Sequence, residues 1–373
     1  MKKVLITGSN GFVGRNLAAE LANYPEVYEL MCADIDTPQE TLFKYLKSCD
    51  FVVHLAGVNR PKDESEFVSG NANFTIFLLD KLVELGNTVP VAITSSVQSE
   101  LDNAYGKSKA AAEAAVLGYG KENDVSVYVW KLPNVFGKWC RPNYNSAVAT
   151  FCHNISHDLP VEVNAPDRVM TLIYIDELLR LLRGAIDGLV KPTKNGYCEC
   201  PVTYECTLQY IPDKLYEFKK SRESLVMPSL ENPLDKALYS TFLSYYDEDR
   251  FVYPLTKHED SRGMFAEFFR TNGYGQWSVS TTAPHITRGN HWHHTKVEKF
   301  IVVSGQALIR FRKISDHTVI EYEVYGANPT VVDIPVGYTH SITNTSDTDM
   351  LITIIWANEL FDPENADTFY LEV

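Results

Sequence analysis

Three glycines spaced three apart near the start of the chain, Gly8, Gly11 and Gly14, leave few folds open. They follow the apolar run Val4-Leu5-Ile6 and precede a helical pattern from Arg15 to Asn23. A buried strand that turns on glycine into a helix is the first half of a parallel crossover unit, so an α/β sheet is expected. The first glycine permits the tight turn, the second lets backbone N–H groups close on a pyrophosphate, and the third packs helix on strand. With Phe12 and Val13 between them, these glycines form the candidate cofactor cradle.

A second strand, Glu29 to Ala33, ends at Asp34, twenty residues beyond Gly14. An acid at that place bonds the adenosine ribose 2′-OH and favours NAD(H). Arg15 argues the other way, because a guanidinium after the third glycine can meet the 2′-phosphate of NADP(H). Both also have ordinary readings, as a strand-end acid and a helix-surface cation. A third strand, Asp50 to Leu55, runs into Leu55-Ala56-Gly57, whose small residues leave room for a cofactor. A fourth, Val89 to Thr94, leads to Ser95 and Ser96, and Tyr105 follows nine residues after Ser96. Tyr105 and Lys109 share one helical face. An ammonium beside a phenol favours the phenolate, so Tyr105 is expected to trade a proton with a substrate oxygen that Ser96 holds. Ser95 fits the same description, and the choice stays open here.

At 373 residues the chain has room for two domains, expected at 1–245 and 246–373. A formal charge of −14 argues against nucleic acid as a partner, so a phosphorylated ligand has to be met locally by helix N-termini and a few cations. Seven cysteines without framework spacing fit a reducing compartment, and Cys198, Cys200 and Cys206 read as free thiols. Met1-Lys2-Lys3 leads straight into a strand and no apolar run is long enough to span a bilayer, so a soluble cytoplasmic protein is expected.

The character of the sequence changes after Phe251, where alternating strands, hairpin glycines and most of the histidines begin. His291 and His293 sit two apart and so project from one face of a strand. Glu298 follows, then Gly305; Pro335, Gly337, His340 and Asn344 form a second group. Two His and a carboxylate from one strand pair with a third His from another make a first-row metal site at His291, His293, Glu298 and His340. A metal-free barrel with its histidines in polar networks is the competing reading. By strand alternation Lys299 and His294 point away from the ligand face.

The first half resembles the extended, sugar-nucleotide-modifying branch of the short-chain dehydrogenase/reductase superfamily. The carriers are Gly8/Gly11/Gly14, His54-Leu-Ala-Gly57, Ser95-Ser96, Tyr105-x-x-x-Lys109 and Leu132-Pro-Asn-Val-Phe-Gly137. The resemblance implies a Rossmann-type domain, and it brings Asn134 toward the substrate diphosphate. Arg168, before Val169, is a further candidate for that contact. Arg141, in the basic and aromatic stretch 138–146, either faces phosphate in the pocket or belongs to a plain loop. The second half is similar to all-β cupins of jelly-roll type. Asp260-x-Arg-Gly-x-Phe-x-Glu267 and Arg288-Gly-x-His291 match deoxysugar 3,5-epimerases, while His-x-His-x4-Glu-x6-Gly and Pro-x-Gly-x2-His-x3-Asn match the metal-binding cupin pattern.

Taken over nearly its whole length, the chain resembles a family of bifunctional capsular-polysaccharide enzymes of the UDP-N-acetyl-L-fucosamine pathway. That resemblance implies metal-dependent C3 epimerisation of a UDP-linked 2-acetamido-2,6-dideoxy-4-ketohexose, then NADPH-dependent reduction at C4, with Zn²⁺ and a homodimer. The C4 ketone acidifies C3–H, a metal can hold the resulting enediolate, and hydride transfer captures the epimer as an alcohol. One alternative makes one of the four cupin residues the base, with water completing the metal shell. Another makes the cupin only a regulatory or dimerising module behind a plain 4-ketoreductase.

Overall fold

The computed structural model describes residues 1–58, 63, 65–364 and 366–373. They divide into two compact units, Met1–Tyr216 with Asn232–Tyr246, and Glu217–Glu231 with Asp247–Val373. The segment 217–231 lies with the second unit because Val226–Met227 pairs in parallel with Gly263–Thr271, placing Val226 opposite Arg270. Composition gives no hint of that pairing, since the two partners are far apart in sequence.

In the first unit six parallel strands stand in the order Tyr28–Ala33, Lys2–Thr7, Phe51–His54, Val91–Ser96, Val127–Leu132, Tyr197–Cys198. Their continuous apolar runs are what a sheet covered on both faces requires. Val4, Ile6, Val53 and Trp130 meet the helix Ile175–Ile186 on one side. Leu5, Val52, Ile93 and Val129 meet the helices Phe74–Glu84 and Ala104–Asn123 on the other. The strand order reverses between Lys2–Thr7 and Phe51–His54, the place where an open α/β sheet leaves a crevice at its carboxyl ends. Asn134–Phe136, Val169–Tyr174 and Tyr204–Thr207 make a small side sheet.

The second unit is two mainly antiparallel sheets. One has seven strands, among them Gly263–Thr271, Gln276–Thr282, Leu351–Ala357 and Glu298–Ser304; the other has five, among them Gln306–Lys313, Tyr338–Asn344 and Thr287–Trp292. Phe300, Val302, Ile309, Phe311, Ile334, Ile342 and Leu351 form an apolar core. The strand Gln276–Thr282 alternates strictly, but its buried positions are Gln276, Ser278, Ser280 and Thr282. Hydroxyls in place of methyl groups there line a cavity rather than fill a core.

Candidate active sites

The glycine loop of the first unit is shaped by close approach. Gly8 has φ +68°, and a Cβ on it would lie 2.6 Å from the Ala56 nitrogen. A Cβ on Gly14 would run into the Gly8 carbonyl. The helix Phe12–Leu21 starts from Gly11 with no side-chain cap, so the N–H groups of Phe12 and Val13 remain for an anion. Leu55-Ala56-Gly57 lies alongside: Leu55 N–H donates to the Thr7 carbonyl (3.1 Å), and the Thr7 hydroxyl bonds His54 Nδ1 (2.7 Å). His54 Nε2 bonds Thr75 (2.9 Å), and burial lowers this imidazole to about 3, so it serves as a neutral strut. Asn71, buried in the single-turn π segment Val68–Asn73, accepts from Val58 N–H and donates to Ser108 Oγ (2.8 and 3.0 Å). The residues present therefore fit a dinucleotide. Asp34 and Arg15 both border this cradle: Asp34 accepts the Asn10 N–H (2.7 Å), and Arg15 donates to the Trp139 carbonyl (2.9 Å).

Ser95 and Ser96, adjacent on one strand, face opposite ways. Ser95 donates to Glu113, a carboxylate 3 % exposed that also accepts from Tyr197 (2.9 Å). Ser96 hydrogen-bonds Tyr105 and caps the turn that follows by accepting from Gln98 N–H (3.1 Å). The geometry thus groups Ser96, and not Ser95, with Tyr105. Lys109 donates to the Thr94 carbonyl (2.8 Å). Its pKa is lowered to about 8 by burial, against the opposing pull of Glu113. Tyr105 differs from the expectation that an adjacent ammonium favours its phenolate: burial, the largest influence, raises its pKa, and Ser96 only partly offsets this. Desolvation disfavours the anionic form of the phenol, and Lys109 is turned to the Thr94 carbonyl.

Tyr144 is close enough to Tyr105 to help raise its pKa, which places the loop 138–146 beside the phenol. Arg141, exposed, stacks 5.4 Å above the Tyr144 ring. Asn134 is exposed and donates to the Thr171 carbonyl (3.4 Å), while Arg168, also exposed, is tied by its backbone to Ala165.

In the second unit His291 stands opposite His340, across a bulge between Gly289 and His291. Gly289, at φ +94°, is required there: a Cβ would lie 2.7 Å from the His340 carbonyl. One nitrogen or carboxylate oxygen from each of His291, His293, Glu298 and His340 lies within 4.8 Å of the others. Glu298 Oε2 is 3.3 Å from Nε2 of both His293 and His340. His293 Nδ1 donates to the Asp367 carbonyl, which leaves its Nε2 lone pair aimed at the centre. His340 is 1 % exposed; its Nε2 faces Glu298 Oε2 at 3.3 Å, and its Nδ1 has no hydrogen-bond partner among the described residues. Orphaned imidazole nitrogen is costly in a dry site unless something coordinates it. Three imidazoles and a carboxylate are the donor set of a divalent first-row ion, zinc above all. Burial, then His340, lowers His291 to about 4, which favours the neutral imidazole. Burial pushes Glu298 up, but the His293 and His340 imidazoles outweigh it and hold the carboxyl well below its ordinary range.

Above this cluster lies a cavity of about 540 Å³, within the range of small-ligand sites. Arg262, Arg288 and Lys296 line it. Arg288 Nε and Nη2 are buried without hydrogen-bond partners among the described residues, and burial lowers its pKa. Arg262 is braced by Asp260 through Nε and Nη2 (3.0 and 2.6 Å). Lys296, 9 % exposed, donates to Thr368 Oγ1 (3.0 Å). Sequence reasoning gave Lys296 no role, and it also missed Asp367, whose carboxylate takes the N–H groups of His294, Thr295 and Lys296 (2.9, 2.7 and 2.9 Å). No local signal could have found Asp367, because its partners lie about seventy residues upstream. Lys299 pairs with Asp333 (2.5 Å), and His294, which lies past the end of the strand Thr287–Trp292, packs on Trp292 and Phe369, so both stand outside the cluster.

Residues 4–194 match the NAD dependent epimerase/dehydratase family, and residues 258–369 match the polysaccharide biosynthesis C-terminal domain. The chain is 43 % identical over 371 residues to the UDP-2-acetamido-2,6-beta-L-arabino-hexul-4-ose reductase of Pseudomonas aeruginosa, covering 100 % of this chain and 99 % of that protein. The capsular polysaccharide assembling protein CapF from Staphylococcus aureus has the same fold, with TM-score 0.92, 46 % identity, and 99 % and 100 % of the two chains covered. The spore coat polysaccharide biosynthesis protein SpsL of Bacillus subtilis is 28 % identical over 126 residues, 31 % of this chain and 83 % of that protein. No helix of the described residues is long and apolar enough to cross a membrane. A glycine-loop cradle on a parallel sheet, a His-Glu cluster in a two-sheet barrel and likeness over nearly the whole chain to such proteins have one reading: the chain belongs to the capsular-polysaccharide enzymes that join a short-chain dehydrogenase/reductase domain of epimerase/dehydratase type to a C-terminal cupin domain.

Proposed function

We propose that the chain performs two steps on a UDP-2-acetamido-2,6-dideoxy-4-ketohexose: epimerisation at C3 in the cupin unit, then reduction at C4 in the Rossmann unit. The product is a precursor of UDP-N-acetyl-L-fucosamine for capsular or O-antigen polysaccharide. The observation that carries this reading is the convergence of His291, His293, Glu298 and the buried His340, their donor atoms within 4.8 Å of one another, on a cavity lined with cations.

His291, His293, Glu298 and His340 would hold a divalent ion such as zinc, which when bound would supply the positive charge that favours loss of a proton next to a ketone. Arg288, whose guanidinium has unused donors, and Arg262, braced by Asp260, are the groups available to grip the diphosphate. Return of a proton from the opposite face inverts C3.

In the Rossmann unit, the Gly8–Gly14 loop and Leu55-Ala56-Gly57 would hold a nicotinamide dinucleotide, which when bound would supply the hydride for C4. Ser96 holds the C4 oxygen, and Tyr105, kept neutral by burial, gives that oxygen its proton. Lys109 then stands one helical turn away as the cation that steadies the phenolate. Asn134, Arg141 and Arg168 are the residues assigned to the nucleotide end of the substrate in this unit.

The test is solvent deuterium. Metal-loaded enzyme without nicotinamide should wash label into C3 of the 4-keto sugar. His340→Ala should stop that exchange while still reducing a pre-epimerised substrate. Tyr105→Phe should do the reverse, losing about 10²-fold or more of reduction. Unlabelled C3 with wild-type enzyme would reduce the cupin to a regulatory or dimerising module behind a 4-ketoreductase.

A further inference from the structure

We propose that this chain takes NADH in preference to NADPH, with Asp34 as the residue that sets the choice; the inference rests on the reductase reading of the first unit. Asp34 ends the strand Tyr28–Ala33, which pairs in parallel with Lys2–Thr7, the strand that runs into the glycine loop. In this topology the adenosine ribose lies over that strand end.

The Asp34 carboxylate is fixed in place. Its Oδ2 accepts the Asn10 N–H at 2.7 Å and its Oδ1 accepts the Ile35 N–H at 2.8 Å. Its own N–H donates to Thr37 Oγ1 at 2.8 Å, and Ser9 N–H donates to the Ala33 carbonyl at 3.2 Å. Loop and strand end are therefore laced together, and the carboxylate forms a rigid acceptor wall. A carboxylate accepts hydrogen bonds from ribose hydroxyls. A 2′-phosphate would instead set close to two negative charges against it.

No cation on the strand end relieves that repulsion. The residues after the strand are Asp34, Ile35, Asp36 and Thr37, two acids and no base. Arg15, the side chain that could serve a 2′-phosphate, donates to the Trp139 carbonyl at 2.9 Å and makes no ion pair with Asp34 among the described residues. Charge and hydrogen bonding at this edge agree on a ribose without phosphate.

Direct binding decides it. Titrating full-length enzyme, without sugar, with NADH and with NADPH and following nicotinamide fluorescence should give an affinity for NADH at least about tenfold tighter, as like-charge repulsion predicts. Asp34→Asn, which keeps an acceptor for Asn10, should narrow the ratio to within about threefold. Should that variant fold poorly, Ile35→Arg offers a second route, because Ile35 is 100 % exposed and its replacement leaves the core alone. It should tighten NADPH binding several-fold and leave NADH within about twofold. Wild-type preference for NADPH, or a ratio unmoved by both substitutions, would overturn the inference and leave the reductase reading standing. Binding of neither nucleotide would remove both.

Discussion

Glu113 shows how much of a site can hide in one side chain. It lies one turn beyond Lys109, accepts from Ser95 and Tyr197, and sits 4.0 Å from Lys131, which itself pairs with Glu100 at 2.9 Å. This buried carboxylate opposes the desolvation that brings Lys109 down to about 8. The sign follows: Lys109 is an ammonium below that value and neutral above it, so the reduction rate should fall as pH rises through about 8. Glu113→Gln removes the charge that favours the ammonium, and the alkaline limb of kcat should move down by up to about one pH unit. A limb that stays put would deny Glu113 this positioning role. Tyr105 and Lys109 were legible in the sequence because helical spacing is local. Ser95 against Ser96 was not, because alternation says that neighbours on a strand face opposite ways but not which one faces the helix. Burial of Tyr105 was hidden for a related reason: spacing finds the lysine but not what packs around the phenol.

Whole elements were easier to read where their patterns were long. The apolar runs of the first sheet, the helix that carries Tyr105 and the alternating strands after Phe251 are all where period and composition put them. The misses are short or non-local. Tyr197–Cys198 is a two-residue strand, Val226–Met227 joins a partner far along the chain, and Asn71 works from a π turn that no periodicity announces. Glycines inside elements give a clean contrast. Gly14→Ala drives a methyl into the Gly8 carbonyl, so it should cost on the order of 1–3 kcal/mol and weaken nucleotide binding by about tenfold or more. Gly118 lies in the helix Ala104–Asn123 with open space around it, and Gly118→Ala should stabilise by up to about 1 kcal/mol. Paired denaturation curves check both, and a destabilised Gly118→Ala would show that the helix needs its glycine. Gly289→Ala, set at a bulge with positive φ, should instead misalign His291 and His340 and lower metal content in the purified protein.

At the scale of the whole molecule, the two units carry separable chemistry, and chelation should separate them. Dialysis against a strong chelator should abolish C3 exchange while leaving NADH affinity unchanged, because the glycine cradle shares no residue with the His-Glu cluster. Loss of both together would argue against independent sites. His291 and His340 come from the five-stranded sheet, and Glu298 comes from the seven-stranded one. An ion bound among them acts as a removable staple between sheets, one that exists only while the barrel is folded. Stability of that barrel then becomes a function of free metal, rising by about 1.4 kcal/mol for each tenfold increase above the dissociation constant. Calorimetry across a series of metal buffers should show one transition climbing with zinc activity while the other holds still, so that the melting temperature of half the protein serves as a gauge of the metal around it.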